Sequence, residues 1–297
     1  MLNRRDFLKL AALGGGVVVM SSLTQGARAA AAAPLEDFYF VQLSDAHWGY
    51  SGPDNPDAAH TLEKAVAAAN GLEIQPDFIM FTGDLTHTTD DPAERRKRLA
   101  EFREIVRPLK AKAVHFMPGE HDAGLDGGAA FREAFGPSNY VFEHKGVHFI
   151  VVDNVSAPGS SIGAAQLEWL QVELAKLPRE APIVVFTHRP LFDLVPKWDW
   201  ATRDGNKAIA LLMPYRNVTV FYGHIHQENH HMTGHIAHHS AKSLIFPLPA
   251  PGSQEKRTPL PWDPAHPYQG LGFREVDAER KSAEYRITEY TVKGEKA

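Results

Sequence analysis

The chain of 297 residues contains no cysteine. This absence excludes disulfide bonds and metal sites that are built on thiolate ligands. The sequence also lacks a large excess of charge of either sign, since its formal net charge is −5 at pH 7. Its basic residues are scattered except at 94–98, which is typical of the exposed face of a helix, so we expect no nucleic-acid-binding surface. No segment repeats with a fixed period.

The sequence is rich in apolar residues and in histidine. Hydrophobic residues make up 43% of the chain, which is enough for one sizeable domain with its own core. The chain has 16 histidines, and seven of them lie between His224 and His239. Imidazole is a common ligand of transition-metal ions, so this count favours a metal site.

Residues 1–29 resemble a twin-arginine export signal, and residues 30–297 form the predicted mature domain. The expected parts of such a signal are all present, namely a charged start, an apolar stretch diluted by glycines and a small-x-small cleavage pattern, at Arg4-Arg5, 8–23 and 27–29. The apolar stretch is too short and too rich in glycine for a membrane span, and we expect no stable span in the mature chain.

Twin-arginine export carries proteins that are already folded, which suits a protein whose metal is loaded in the cytoplasm. We therefore expect the twin-arginine translocase as a partner during export, and a periplasmic or secreted mature chain. An ordinary secretory signal and an uncleaved anchor are the alternatives.

Short apolar runs alternate with helical patterns after residue 34. Runs that predict buried strands cover 38–45, 78–84, 113–119, 183–188 and 218–224, and helices are predicted over 57–71, 93–109, 164–177 and 206–215. Residues 140–153 indicate a hairpin, and further strand patterns follow residue 229. This order favours an α/β fold in which two mixed β-sheets pack face to face with helices outside. The proline-rich segment 247–267 has no periodicity and is predicted to be a long loop.

Polar side chains end five of the buried runs. They are Asp45 and His47, then Asp84, then Glu120 with His121 and Asp122, then His188 with Arg189, and finally His224 and His226. In open α/β sheets ligands bind at the carboxyl edge, and Asp, Glu and neutral His are ligands for divalent Mn, Fe, Co and Zn. The Asp-x-His and His-x-His spacings predict two ligands on one face of an extended chain. Glycines 83, 119 and 223 allow the backbone to turn sharply and approach an ion.

Each of these patterns has a simpler interpretation when it stands alone. Asp-x-His after a strand is usually a cap or a turn, Gly-Asp is close to noise, and a single histidine such as His188 is more often a hydrogen-bonded core residue. The ordered combination of five such strand ends is far more specific. It predicts a binuclear metal site.

The ordered series resembles the calcineurin-like metallophosphoesterase superfamily, whose pattern is D-x-H, G-D, G-N-H-[DE], H and G-H-x-H. The connecting segments 131–153, 163–174 and 185–192 are similar to its bacterial class III cyclic-nucleotide phosphodiesterase branch. This resemblance covers residues 38–250. It implies a four-layer αββα sandwich that binds two divalent or mixed-valence transition-metal ions, Fe, Mn or Zn. It also implies hydrolysis of a phosphodiester or phosphomonoester by a hydroxide that bridges the two ions.

The resemblance implies a role for each residue of the site. One ion would be held by Asp45, His47 and His226, the other by Glu120, His188 and His224, and Asp84 would bridge the two ions. His121 would stabilise or protonate the leaving group. Asp122 would orient His121.

Glu120 departs from the family pattern, which has asparagine at this position. An ionised Glu120 adds a negative charge, which would attract a phosphate less strongly and weaken the ions as Lewis acids. Three hypotheses follow: Glu120 is a direct ligand of a mixed-valence or iron-containing pair, it is displaced or protonated and leaves the second site weak, or it suppresses hydrolysis. The third would leave a metal- or ligand-binding accessory protein, which is the alternative function. We favour the first.

Other residues near these motifs have more open roles. His87 and Arg189 are candidate substrate-binding residues, although His87 also suits an ordinary loop and Arg189 a surface salt bridge. The histidines outside the motifs could line the substrate mouth or bind a third ion, but partly exposed strand residues are the simpler interpretation of His230, His231, His235, His238 and His239. The loop 247–267 could cover the site. The expected substrate is a phosphate ester, and export argues against an intracellular cyclic nucleotide.

Overall fold

The computed structural model describes residues 36–279 and 284–297. The predicted export signal and its cleavage point lie outside the described residues, so both stay predictions. Within the two described ranges, no helix is long and apolar enough to cross a bilayer.

The first sheet consists of β1 (Phe38–Leu43), β2 (Phe78–Thr82), β3 (Val114–Met117), β10 (Gly272–Ala278) and β11 (Tyr285–Thr291). Its strand order is β11-β10-β1-β2-β3. The three strands β1, β2 and β3 are parallel, while β10 and β11 continue the sheet in antiparallel pairs. Every residue of β1 and β2 is buried, which is expected of strands covered on both faces.

The second sheet consists of β4 (Tyr140–His144), β5 (Val147–Val151), β6 (Pro182–Phe186), β7 (Asn217–Tyr222), β8 (Asn229–Thr233) and β9 (Ile236–Ser240). Its order is β4-β5-β6-β7-β9-β8, with β5, β6, β7 and β9 parallel. The predicted hairpin is present, because Lys145 and Gly146 both have positive φ and form a tight two-residue turn between β4 and β5.

The helices are α1 (Ala58–Asn70), α2 (Pro92–Val106), α3 (Glu120–Ala123), α4 (Ala129–Phe135), α5 (Ala164–Ala175) and α6 (Gly205–Leu212). The start of α2 follows from its sequence: the Asp91 carboxylate accepts from the backbone N–H groups of Ala93 and Glu94, and Pro92 occupies the first turn. Within its basic cluster Arg96 and Lys97 are exposed as predicted, but Arg95 is buried and pairs with Asp126 at 3.1 Å.

Three apolar clusters define the layers of the fold. One packs α1 and α2 on the outer face of the first sheet, a second packs α5 and α6 on the outer face of the second sheet, and a third fills the space between the sheets. The third cluster is rich in aromatic residues, and Phe40 lies at its centre, stacked on Phe78 with ring centroids 4.9 Å apart. The predicted αββα sandwich of two mixed sheets is confirmed.

The parallel strands of both sheets end at one edge of the sandwich. Each strand stops before the polar residues that the sequence analysis placed on it, for example β1 at Leu43 and β7 at Tyr222. The candidate ligands therefore lie in the loops that follow the strands. The segment 247–267 has no helix or strand, as predicted.

Candidate metal centre

The structure brings all seven predicted metal ligands together at the carboxyl edge of the two sheets. Loops after β1, β2 and β3 supply three carboxylates and one histidine, and loops after β6 and β7 supply three histidines. They form two groups whose ligand atoms lie within 4.8 Å of one another: Asp45, His47 and His226, and Asp84, Glu120, His188 and His224. The resemblance implied the same residues, except that it placed Asp84 between the two sets and not within the second one.

Asp84 lies between the two groups. Its Oδ2 atom is 3.5 Å from Nε2 of His47 and 3.3 Å from Nε2 of His188. Its Oδ1 atom accepts a hydrogen bond of 2.9 Å from the backbone N–H of His121, which fixes the rotation of the carboxylate. One oxygen of Asp84 is therefore placed to contact both groups.

Backbone carbonyls fix the tautomers of three candidate ligands. Because a carbonyl oxygen can only accept, the ring nitrogen that faces it must carry the proton. In His188 and His226 this nitrogen is Nδ1, which donates to Thr82 O at 2.7 Å and to Phe246 O at 2.9 Å. In His224 it is Nε2, which lies 3.0 Å from Asp199 O. The other nitrogen of each ring then presents a lone pair to the centre, as a metal ligand requires.

The spacing of the ligand atoms fits transition-metal ions. Bonds of about 2.0–2.2 Å place adjacent ligand atoms roughly 3.0–3.5 Å apart in compact coordination shells. The Nε2 atom of His226 lies 3.3 Å from Oδ1 of Asp45 and 3.3 Å from Nε2 of His47. In the second group, Nδ1 of His224 lies 2.9 Å from Oε1 of Glu120. Carboxylate oxygens with imidazole nitrogens suit Mn, Fe and Zn.

Two buried acceptors of the second group face each other. Nε2 of His188 and Oε2 of Glu120 are 2.9 Å apart, and neither has a hydrogen-bond partner among the described residues. When the His188 ring is neutral its proton is on Nδ1, and both facing atoms then carry lone pairs. A cation between them would satisfy both, and this is the observation that fits the seven residues to metal ions.

Charges within the centre shift the pKa values of the candidate ligands. Burial would raise the pKa of Glu120, but His224 and His188 hold the pKa of this carboxyl well below its usual value. Burial would lower the pKa of His188, whereas Asp84 and Glu120 raise that pKa well above its usual value. Burial and the neighbouring histidines lower the pKa of His47 well below its usual value. Glu120 is therefore ionised and His47 neutral, which are the metal-binding forms, whereas His188 must give up the proton that the two carboxylates favour when an ion binds.

Five candidate ligands have left-handed backbone conformations. Of the eight described non-glycine residues with positive φ, five are Asp45, His47, Asp84, His224 and His226, with φ between 46° and 66°. The prediction that Asp-x-His and His-x-His lie on an extended chain is therefore wrong. The chain coils back after each strand, and the strain is held by hydrogen bonds between loops, such as His47 N to Asp84 O at 2.9 Å.

The glycines beside the ligands allow close contact with side chains of the centre. A Cβ atom on Gly119 would lie 2.0 Å from Oδ1 of Asp84, and one on Gly223 would lie 2.7 Å from Oδ2 of Asp45. Gly83 has φ of 94° and its Cβ would lie 2.4 Å from Nδ1 of His188. The predicted close approach is present, and it is an approach to the candidate ligands themselves.

His121 lies at the mouth of the centre, with a side chain that is 28% exposed and with Nε2 4.0 Å from Oδ2 of Asp84. Its Nδ1 atom contacts the hydroxyl of Thr88 at 2.7 Å. No hydrogen bond joins the Asp122 carboxylate to the His121 ring in the described structure. The prediction that Asp122 orients His121 therefore needs correction, because Thr88 occupies that position.

Asp122 instead ties the loop after β2 to the loop after β3. Its carboxylate accepts from the backbone N–H groups of Leu85, Thr86 and Gly119 at 2.8–2.9 Å and from the Thr86 hydroxyl. Burial and the nearby Asp84 raise the pKa of Asp122 to about 6. Asp122 thus supports the loops that carry the centre.

His87 is also part of this region. Its Nδ1 atom lies 3.3 Å from Nδ1 of His47, and its ring stacks on His121 with centroids 4.9 Å apart. His47, His87 and His121 form a third group of closely spaced ring nitrogens. An ordinary loop residue is therefore a less suitable description of His87. Its contacts fit a position beside the substrate or behind His47 better.

Arg189 is buried and not on the surface, but its guanidinium does form a salt bridge with the exposed Asp199 carboxylate. Its guanidinium contacts the loop at 199–201 and approaches Glu120, with Nη1 3.8 Å from Oε2. The five histidines outside the motifs lie on the β8–β9 hairpin or its turn, and none belongs to the three closely spaced groups of the described residues.

The loop 247–267 reaches the edge of the centre. The indole of Trp198 donates to Glu255 O at 3.0 Å and anchors the loop. Two residues later, Nη1 of Arg257 lies 3.4 Å from Nε2 of His224. The loop therefore places a cationic side chain beside the outer nitrogen of the candidate ligand His224.

The sequence analysis missed the residues that orient the ligands. Thr82 and Ser44 adjoin ligand motifs, and their position at a strand end was a usable signal: the Ser44 hydroxyl donates to Asp45. Asn154 gave no such signal, yet its side chain binds the backbone of His188 and Arg189. The backbone carbonyls of Phe246 and Asp199 gave no signal in the sequence either, because every residue carries a backbone carbonyl.

Comparison with known proteins places this geometry in context. Residues 38–228 match the family described as calcineurin-like phosphoesterase. A probable cyclic nucleotide phosphodiesterase of Rhodopseudomonas palustris is 27% identical over 237 residues, which cover 73% of this chain and 84% of that protein. A probable glycerophosphodiester phosphodiesterase of Arcobacter nitrofigilis is 30% identical over 161 residues, which cover 50% of this chain and 56% of that protein.

A solved structure shares the fold. A purple acid phosphatase from yellow lupin (Lupinus luteus) seeds superimposes with a TM-score of 0.64 at 12% identity. The superposition covers 88% of this chain and 52% of the lupin chain, so this chain corresponds to about half of that enzyme.

Proposed function

The chain belongs to the calcineurin-like phosphoesterase family, and from this premise we propose that it is a binuclear metal phosphoesterase that cleaves a phosphodiester. The observation that carries the proposal is the convergence of three carboxylates and four imidazoles, with three of the rings fixed by carbonyls so that a lone pair faces the centre. Related proteins named as phosphodiesterases support a diester substrate.

We assign one ion to Asp45, His47 and His226, and the other to Glu120, His188 and His224. Asp84 would contact both ions, since its Oδ2 atom lies within 3.5 Å of ligand nitrogens from both groups. Fe, Mn and Zn all suit these ligands, and a mixed-valence pair is one form the centre could take. When bound, such a pair supplies Lewis acidity and a water-derived nucleophile at neutral pH.

The residues around the metals then have separate roles in catalysis and substrate binding. His121 is half-buried at the mouth, and it donates a proton to the departing oxygen of the substrate while Thr88 holds its ring. Arg257 lies beside His224 and is partly exposed, so its guanidinium attracts the anionic substrate and offsets charge on the phosphoryl oxygens. His87 packs against His47 and His121 and keeps both rings in place.

We also propose that the enzyme works outside the cytoplasm, in the periplasm or the medium, after twin-arginine export. The support is the Arg4-Arg5 pattern followed by an apolar stretch and a small-x-small site. An exported enzyme meets extracellular phosphodiesters more readily than intracellular cyclic nucleotides. A phosphodiester from outside the cytoplasm is therefore the proposed substrate class.

The experiment is hydrolysis by protein that has been stripped with a chelator and reloaded with Mn²⁺. We expect two Mn²⁺ per chain, and faster release of nitrophenolate from bis(p-nitrophenyl) phosphate than from p-nitrophenyl phosphate. A faster monoester reaction would instead identify a phosphomonoesterase. Two bound ions without hydrolysis of either compound would indicate a metal-binding accessory protein and refute the proposal.

A further inference from the structure

Arg189 is a buried cation beside the candidate ligand Glu120. We infer that Arg189 is the charge partner of Glu120 and restores the positive charge that this glutamate removes from the metal centre. The inference rests on the proposed binuclear centre and adds a positioning residue to it. It also explains how a centre with three carboxylates can attract an anionic phosphate ester.

The burial of Arg189 is the first step. The residue has no exposed surface, and charged side chains are almost never fully buried unless they are paired. Glu120 is the carboxylate on the metal side of the guanidinium, with Oε2 3.8 Å from Nη1. On the outer side the Asp199 carboxylate, which is 58% exposed, lies 2.5 Å from Nη2. A solvated carboxylate contributes little net stabilisation, so Glu120, whose side chain is only 23% exposed, is the more important partner.

The second step is the rigidity of Arg189. Its Nε atom donates to Ala201 O at 3.1 Å, and Nη2 donates to Asp199 O. Asn154 binds the backbone on both sides, since its Nδ2 donates to Arg189 O at 2.9 Å and its Oδ1 accepts from Arg189 N at 3.3 Å. These contacts leave Nη1 directed at the centre. Arg189 therefore supplies a fixed charge rather than a mobile one.

The third step is the charge balance. An amide at position 120 would coordinate an ion without changing the net charge, whereas an ionised Glu120 removes one positive charge. Arg189 returns one positive charge within 4 Å of the same carboxylate. With this residue the centre needs no trivalent ion to attract phosphate, because two divalent ions and Arg189 outweigh the three carboxylates.

A double-mutant cycle tests the inference. The proteins are the wild type, Glu120→Gln, Arg189→Gln and the double variant, with Arg189→Lys as the variant that keeps the charge. Each is loaded with saturating Mn²⁺, its Mn²⁺ content is measured, and the Kd of inorganic phosphate is determined by calorimetry. Phosphate binding reports the charge of the centre without any turnover.

We expect Arg189→Gln to weaken phosphate binding by about tenfold, and Glu120→Gln to strengthen it, because a unit charge near a desolvated anion is removed in each case. The double variant should return to within about threefold of the wild type, since the two changes cancel. Arg189→Lys should stay close to the wild type. A double variant that binds phosphate as weakly as Arg189→Gln would overturn the inference and leave Arg189 as an anchor of the loop at 199–201.

Unfolding of the metal-free proteins gives a second readout. Arg189→Gln leaves Glu120 without its arginine, so the double variant should unfold at a higher temperature than Arg189→Gln alone. If Arg189→Gln does not fold, recovery of folding in the double variant supports the pair, and loss of folding in both overturns it.

The two proposals fail in different ways. If the double variant recovers phosphate binding but the wild type hydrolyses no phosphoester, only the proposed function is refuted. If the wild type hydrolyses a diester but the double variant binds phosphate as weakly as Arg189→Gln, only the role of Arg189 is refuted.

Discussion

The space between the two sheets has two ends. Both are built from the same strands, but they differ in side-chain packing, in the pairing of charges and in backbone conformation. At the amino-terminal end, the rings of Phe38, Phe78 and Phe149 pack against one another. This end is closed by Lys145 from the second sheet, whose Nζ lies 3.0 Å from the Asp77 carboxylate of the first sheet. Its groups are paired and its strands are regular.

At the carboxyl-terminal end the same strands run into left-handed residues, buried carboxylates and facing lone pairs. These features are costly, and they persist because the loops are bonded to each other and the strands below them are tightly packed. The comparison indicates that the two ends have different roles. The aromatic end provides stability, and the polar end uses that stability to hold ligands in strained positions.

Asp84→Ala should show the difference between the roles of the two ends most clearly. It removes the only oxygen that lies within 3.5 Å of ligand nitrogens from both groups of the described centre. We expect Mn²⁺ binding at both positions to weaken and diester hydrolysis to fall by about 10³-fold or more. Elemental analysis and initial rates measure this, with Asp193→Ala, an exposed aspartate, as the matched control. Two Mn²⁺ retained at full occupancy would contradict the bridging assignment.

His121→Ala tests chemistry at the polar end without removing a predicted ligand. The metal content should not change, and kcat should fall by about 10²–10⁴-fold because the leaving group loses its proton donor. Thr88→Val is the companion variant, which removes only the hydroxyl contact at 2.7 Å and should lose less activity. Full turnover by His121→Ala would show that another group protonates the leaving oxygen.

Phe40→Ala tests the aromatic end. The ring is fully buried and contacts Phe78, Phe186 and Phe221, so its removal should lower the free energy of unfolding by about 3–5 kcal/mol. Denaturant unfolding measures the loss, and Leu125→Ala at an exposed position is the control. The folded variant should still bind two Mn²⁺. Loss of metal in the folded state would mean that the two ends are not separable.

Asp77→Asn should have the smallest effect on the free energy of unfolding, and this effect should depend on pH. Burial would raise the pKa of Asp77, but the Lys145 ammonium holds this pKa below its usual value. The contribution to stability is therefore complete above the unfolded value of about 4 and is lost as pH falls through the lower folded pKa.

Unfolding of the wild type and Asp77→Asn from pH 7 to pH 3 measures this contribution. The gap between them should narrow below about pH 4, where the unfolded carboxyl begins to bind a proton. The exposed Asp90→Asn is the control. A gap that stays constant with pH would mean that the charge of Asp77 does not stabilise the junction of the two sheets.

The layers of the fold and the identity of the candidate ligands could be predicted from the amino-acid sequence alone. Buried runs of five or six residues, such as 78–82, specify strands covered on both faces, and helical patterns between them specify the outer layers. Because parallel strands share a carboxyl edge, the polar residues that follow them had to meet there. Asp45, Asp84 and His188 could therefore be placed in one site before any contact was known.

How those ligands are held and which charges surround them became clear from the folded structure. The carbonyl of Phe246, the amide of Asn154 and the guanidinium of Arg189 reach the centre from distant segments, and no local pattern marks them. Hydrophobic periodicity records which face of an element is buried, but it carries no information on which distant polar group lies opposite. Tautomers, buried charge pairs and left-handed loops arise from contacts across the fold, so they exist only once the two sheets have packed together.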